Sequence, residues 1–190
     1  MKMKLLSATL FALASTASFA APVSYSVDST HSYARYDIKH LSFSVQSGTF
    51  TQMSGKVVMD LEQHQGSVDV SIDANSLQTF YAARDKHLKS EAFFNVAKFP
   101  TLTYKSDKLV FNKDQLAQVE GQLTLLGVTK PVTLTVVQFQ GGVNPMTGKQ
   151  EYGANATAHI KRSDFGMTAY LPAIADDVEL DITIEAVKDN

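Results

Sequence analysis

Val178-Glu179-Leu180-Asp181-Ile182-Thr183-Ile184-Glu185 sets an apolar side chain at every second position and a polar one between each pair. In an extended backbone successive side chains point to opposite faces, so this stretch reads as a strand with one dry and one wet face. The same period recurs upstream. Ala34, Tyr36, Ile38 and His40 share one parity against Arg35, Asp37 and Lys39; Val68, Val70 and Ile72 oppose Asp69, Ser71 and Asp73. Leu102 and Tyr104 oppose Thr101, Thr103 and Lys105, and Val119, Gly121, Leu123 and Leu125 oppose Glu120, Gln122 and Thr124. One-sided strands belong to antiparallel sheets with a solvated face, whereas the strands of parallel nucleotide-binding sheets are apolar on both faces.

Turn signals divide these runs at Gln46-Ser47-Gly48, Gln65-Gly66, Gly127 with Lys130-Pro131, and Gly141 to Gly148 around Asn144-Pro145. Only Phe80 to Asn95 leaves the two-residue period, and it holds neither Gly nor Pro. With Thr79 and Ser90 as caps it predicts two short helical turns, over 80–89 and 91–95. The expected fold is therefore all-β, about eight to ten antiparallel strands in a closed or nearly closed barrel with one helical insertion near 80–95, because closure removes the edges of an open sheet.

Met1 to Ala20 reads as a secretory signal peptide, with Lys2 and Lys4, an apolar run from Leu5 to Thr16, and small residues at Ser18 and Ala20. Cleavage after Ala20 leaves 21–190 as one expected domain with 15 basic and 19 acidic residues. That acidic balance argues against nucleic acid as a partner, since phosphate binding needs a concentrated basic surface. The apolar run of about twelve residues falls short of the ~20 that cross a bilayer, and no later stretch approaches that length, so no transmembrane span is expected. Cysteine is absent. Thiol catalysis, cysteine-ligated zinc, disulfides and a lipid anchor at the cleavage site are all excluded by that absence.

The sequence contains no Gly-x-Ser-x-Gly, Gly-x-x-x-x-Gly-Lys or His-Glu-x-x-His, which removes the commonest motif-bearing hydrolase and nucleotide classes. His31, His40, His64, His87 and His159 show no ligand spacing, and no metal site is expected. His31, between Thr30 and Ser32, is expected to make local backbone hydrogen bonds. Arg84, Asp85, His87 and Glu91 are a denser polar group, and on a continuous helix His87 shares a face with Arg84 and Glu91. That face is an ordinary solvated one, or the polar rim of a barrel mouth where Arg84 and His87 meet a ligand head, or the working end of a lipid-modifying enzyme.

Strand parity places Tyr36, Ile38, Phe50, Met53, Val70, Ile72, Leu102, Tyr104, Leu123, Leu125, Leu134, Ala156 and Ile182 inward, with Phe93, Phe94 and Met167 closing one end. Large or adaptable members, among them Tyr36, Phe50, Met53, Met59, Tyr104 and Met167, face small ones at Gly121, Ala154, Ala156 and Ala158. Small residues on a wall either open a cavity or receive large neighbours across a filled core. Alternation leaves both open.

Asp28-Ser29-Thr30-His31-Ser32, Ile38-Lys39-His40-Leu41 and Gly48-Thr49-Phe50 resemble the opening strands of the YceI-like family of exported, lipocalin-like proteins. Arg84-Asp85-Lys86-His87-Leu88-Lys89-Ser90-Glu91-Ala92-Phe93-Phe94 with Lys98-Phe99-Pro100, the run Gly121 to Val132, and Arg162-Ser163-Asp164-Phe165-Gly166-Met167 continue the likeness in order, over Val23 to Val187. The resemblance implies a lipocalin-like antiparallel barrel with a helix-containing insertion, holding a long polyisoprenoid chain in an internal tunnel. It further implies a periplasmic location, a homodimer as a candidate assembly, and a polyprenyl lipid or isoprenoid quinone as ligand with no other cofactor. One position departs from the pattern. Met53 stands where Gly-x-Phe-x-x-Phe-x-Gly has its second ring, so a thioether sets the tunnel width there. The function expected from this reading is a soluble, exported binding protein that sequesters or transports a long-chain isoprenoid-type lipid without catalysis. The alternative is a lipid-modifying enzyme built on the polar cluster around Arg84 and His87.

Overall fold

The computed structural model describes residues 21–190, and the segment read as a signal peptide lies outside them. The strands are β1 (Val23–Val27), β2 (Tyr33–His40), β3 (Ser44–Phe50), β4 (Met53–Asp60), β5 (Gln65–Asp73), β6 (Leu77–Gln78), β7 (Thr101–Asn112), β8 (Gln115–Leu125), β9 (Val128–Val143), β10 (Gln150–Lys161) and β11 (Ile174–Lys188). One helix, α1 (Ala82–Leu88), lies between β6 and β7. Eight of the strands, β1, β4, β5 and β7 to β11, close into an antiparallel barrel. Closure depends on the length of β11. Its 15 residues bond β10 along one edge, and along the other bond β2 over Ile174 to Thr183 and β1 over Ala186 to Lys188. The β2–β3 hairpin thus extends the same wall, and β6 seals its edge through Thr49 and Phe50 of β3.

The chain reverses at two ends of the barrel. The helical end holds the β2–β3 turn, the β8–β9 turn, the 162–173 segment and α1; the far end holds the turns at 61–64, 113–114 and 144–149. These positions correct several turn expectations. Gln46-Ser47-Gly48 lies inside β3, and the reversal falls at 41–43, where Leu41 and Ser42 take φ of 50° and 61°. Gly48 serves packing instead, because the Tyr36 ring lies on it and a Cβ there would meet the ring at 2.5 Å. Lys130-Pro131 is also inside a strand. Pairing of β9 with β10 does not begin until Thr135, so Pro131, which lacks an N–H, sits on a stretch with a single strand neighbour. Gln65-Gly66 opens β5 after the turn, and Gly141 belongs to β9.

The helical insertion is shorter than expected, and 91–95 is a series of turns. Phe94 N donates to Leu88 O at 2.9 Å, folding Phe93 and Phe94 under the helix, where both are buried. Burying two rings stabilises the chain more than continuing a short helix does. Neither expected cap forms. Tyr81 holds the N-cap position without a side-chain bond, while Asp85 Oδ1 accepts from Thr79 N (2.8 Å) and Thr79 Oγ1 (2.5 Å). Ser90 acts through its carbonyl, which accepts from Phe93 N at 3.1 Å and Asn95 N at 2.9 Å.

Bulges break the strand parity at defined places. Between Lys105 and Lys108 the register of β7 shifts, and Ser106 Oγ fills the irregularity by accepting from Lys108 N (3.0 Å) and donating to Glu120 O (2.6 Å). A second shift, where β10 passes from Asn155 to Ala156, leaves Val137 of β9 exposed and turns Phe139 into the interior.

Candidate functional site

The inward faces do not meet across the barrel axis. They enclose two chambers, one of about 120 Å³ toward the far end and one of about 140 Å³ toward the helical end. Ile72, Leu123, Leu180 and Ile182 line both, so the chambers stack end to end with these four side chains as the waist. Met53, Val70, Tyr104, Leu134 and Ala156 line the far chamber; Tyr36, Ile38, Phe50, Phe93, Phe94, Leu102, Leu125 and Met167 line the helical one. The inward residues named from parity thus line a chamber, whereas Ala158, assigned to the same wall, lines neither.

Polar atoms in these walls are turned away from the space. The Tyr104 hydroxyl lies 2.8 Å from Val119 O and 2.9 Å from Val132 O, and burial pushes its phenol well above the ordinary range. Its ring fits over Gly121, where a Cβ would come within 2.6 Å of both Tyr104 Cζ and the Lys105 carbonyl. Gly121 thus receives a large neighbour, while Ala154 and Ala156 border open space. Toward the far end Tyr25 meets Tyr152 edge-on at 5.3 Å and Phe139 stacks on it at 5.4 Å. At the helical end Phe50 and Phe94 meet edge-on at 5.2 Å beside Tyr36, whose phenol burial pushes up to about 12, with Arg84 partly offsetting the shift.

The polar cluster read from the insertion is not assembled as a continuous face. Arg84 donates to Thr79 Oγ1 (2.8 Å), Thr79 O (2.6 Å) and Gln46 Oε1 (2.6 Å), which makes it a strut between α1 and β3 rather than a group facing a ligand. Asp85 is held by Thr79. Glu91 lies past the end of α1 and is exposed, so it shares no helical face with His87. His87 does reach the helical end, where its ring meets Phe93 at 5.1 Å and Tyr170 at 6.1 Å. None of the four lines a chamber.

His31 makes the expected local backbone hydrogen bond, its N–H donating to Asp28 O at 3.3 Å, and its ring adds side-chain partners: Nδ1 lies 2.8 Å from Asp28 Oδ2 and 3.1 Å from Thr30 Oγ1, and Glu185 of β11 stands at 3.8 Å. The Asp28 contact raises the histidine pKa, and the same bond holds the Asp28 carboxyl down at about 2. Asp28, His31 and Glu185 bring their ligand-type atoms within 4.8 Å of one another, a grouping invisible in the spacing of histidines because Glu185 arrives from a distant strand.

Sequence reasoning missed Arg162. The residue is buried in the wall of the helical chamber, with Nε on Ala175 O (2.8 Å), Nη1 on Met167 O (2.9 Å) and Nη2 on Ile174 O (3.0 Å). Burial lowers its pKa, and nearby Asp176 offsets part of that. An arginine opening Arg162-Ser163-Asp164-Phe165-Gly166-Met167 is the only signal the sequence offers. Leu109, Leu116 and Phe139 were hidden by the bulges, and Leu88 by its place on the helix.

A closed antiparallel barrel with an apolar interior, polar groups held in its wall and one helix over an end is a lipocalin-like barrel. Among the described residues no helix is long and apolar enough to cross a membrane. The model of the YceI-like domain matches residues 25–186, and the chain belongs to the YceI-like family. Protein YceI of Salmonella newport (strain SL254) is 40% identical over 191 residues, 99% of each chain. A crystal structure of the Campylobacter jejuni YCEI protein is 29% identical with a TM-score of 0.67, over 80% of this chain and 90% of that one. A polyisoprenoid binding domain from Saccharophagus degradans, implicated in plant cell wall breakdown, is 19% identical with a TM-score of 0.67, over 88% and 99% of the two chains, a likeness of fold.

Proposed function

We propose that this protein is an exported, periplasmic binding protein that encloses a long-chain isoprenoid-type lipid, a polyprenyl lipid or isoprenoid quinone, and carries it through water. The observation that carries the reading is the pair of stacked chambers, lined almost wholly by apolar side chains with the Arg162 charge turned into the wall, and meeting at one waist. The end-to-end arrangement favours an elongated hydrocarbon over a compact one. Met53, Met59 and Met167 line the space with unbranched, polarisable side chains that resettle around a guest. Each buried methylene contributes about 0.8 kcal/mol, so ~15 of them give a gross ~12 kcal/mol before ordering costs. The name of the Saccharophagus degradans domain, which shares the fold, supports the same ligand class. No catalytic role is assigned, because Arg84 and Asp85 are bonded to Thr79 and neither they nor His87 nor Glu91 lines a chamber.

Native mass spectrometry and solvent extraction of freshly purified protein test the reading. A co-purified molecule built of repeating isoprene units is expected. A protein that is reproducibly empty and takes up no prenyl lipid on incubation overturns it, and a ligand returned chemically altered replaces it with the enzyme reading.

A further inference from the structure

Six large apolar side chains face solvent at the helical end: Leu41, Phe43, Val45, Phe80, Tyr81 and Tyr170. Phe80 is 98% exposed and Phe43 88%. Three contacts link the segments that carry them into a collar. Arg84 Nη1 on Gln46 Oε1 (2.6 Å) joins the start of α1 to β3; the His87 ring against Tyr170 (6.1 Å) joins the end of α1 to the 162–173 segment. Leu41 N on Ala173 O (3.1 Å) joins that segment back to the β2–β3 turn. Within this collar lie Leu88, Phe93 and Phe94, which line the helical chamber.

The backbone of the collar is held against local preference. Leu41, Phe80 and Tyr170 have φ of 50°, 61° and 61°, a region that bulky side chains rarely occupy, and persist there only where surrounding structure enforces it. Exposed aromatic side chains grouped in this way mark a contact surface. Charge is distributed to match. Leaving out the buried Arg162, residues 39–46, 79–100, 126–130 and 161–177 carry seven basic and five acidic side chains, whereas the rest of 21–190 carries seven basic and fourteen acidic. An acidic molecule thus presents its one cationic, aromatic-rich end around the chamber.

We propose that this collar docks on the surface of an anionic phospholipid bilayer, with Phe43 and Phe80 entering the headgroup region and Lys39, Lys86 and Lys98 facing lipid phosphates. Aromatic side chains settle at that depth, and basic ones beside them are drawn to the negative surface potential. The purpose of docking rests on the lipid-holding reading above: the helical chamber then opens onto the phase in which its guest dissolves.

The chain contains no tryptophan, so Phe43→Trp or Phe80→Trp installs a single indole, whose emission is excited selectively over that of the tyrosines. Met146→Trp, at a far-end turn where Met146 is 94% exposed, is the control. With vesicles of phosphatidylethanolamine and phosphatidylglycerol, emission is expected to shift to the blue at positions 43 and 80 but not at 146, to lose the shift in high salt, and to stay unshifted with phosphatidylcholine. The double variant Lys86→Glu, Lys98→Glu should weaken binding by about tenfold or more. No shift at 43 or 80, or an equal shift at 146, overturns the proposal. So does a shift at 43 and 80 that needs no vesicles and tracks a dimer in sedimentation velocity, which assigns the collar to a second copy. Extraction of the same samples separates the two readings: bound prenyl lipid without vesicle docking removes the collar alone, and docking by an empty barrel that refuses prenyl lipid removes the cargo alone.

Discussion

Arg162 directs a fixed charge at three carbonyl oxygens inside the wall of an apolar chamber, a use no local pattern in the sequence announces. Arg162→Met keeps much of the volume and removes all three donors, so a loss of about 3 kcal/mol or more is expected in denaturant unfolding. Arg162→Lys should recover little of it, because an ammonium cannot span the guanidinium fork; equal stability of the lysine variant would show that the fork is dispensable. His31 and Asp28 give a pH signature. The raised histidine pKa means that its bond contributes fully below the ordinary value of 6.5 and is lost as pH rises through the raised value. Asp28, lowered to about 2, contributes above the ordinary carboxylate range and is lost as pH falls through about 2. The pair is therefore complete in mildly acidic solution. An NMR titration of His31 should show a midpoint above 6.5 that falls on Asp28→Asn; an unmoved midpoint would detach the shift from Asp28.

The elements differ in how far their sequence disclosed them. Strands with uninterrupted alternation, such as β11 from Val178 and β5, have the faces that parity assigns, since pleat geometry forces a two-residue period on any strand with one buried side. Bulged strands do not. Phe139 and Leu109 face inward only because one extra residue resets the parity, and that insertion follows from pairing with β10 and β8, information a single strand lacks. Pro131 and Gly48 looked like turn residues because their chemistry suits turns, yet one occupies a strand with a single neighbour and the other the space beneath Tyr36. The wall of β10 offers the sharpest test of an element. Ala156→Phe should expel lipid, measured by extraction, while the protein stays folded. Retained lipid with a loss of roughly 1 to 3 kcal/mol would instead place Ala156 in a packed core.

At the scale of the whole molecule, a ligand that binds only the folded barrel stabilises it by mass action, about 2.7 kcal/mol at a hundredfold excess over Kd. Protein stripped of bound lipid should therefore melt roughly 5 to 10 °C lower, and readdition of prenyl lipid should restore the transition; identical melting curves would mean that nothing occupied the chambers. Closure of the barrel, too, belongs to this scale. The sequence by itself determined the all-β class, the one helical insertion and the identity of most inward side chains, because alternation is a local consequence of burying one face of a strand. Only the tertiary structure decided that eight strands close, that the inward faces stand apart as two chambers with a shared waist, and that Arg84 is a strut while Arg162 is the buried cation. Those outcomes depend on which residues meet across the barrel, and side chains more than a hundred positions apart, such as Ile38 and Val178, become neighbours only when β2 and β11 pair.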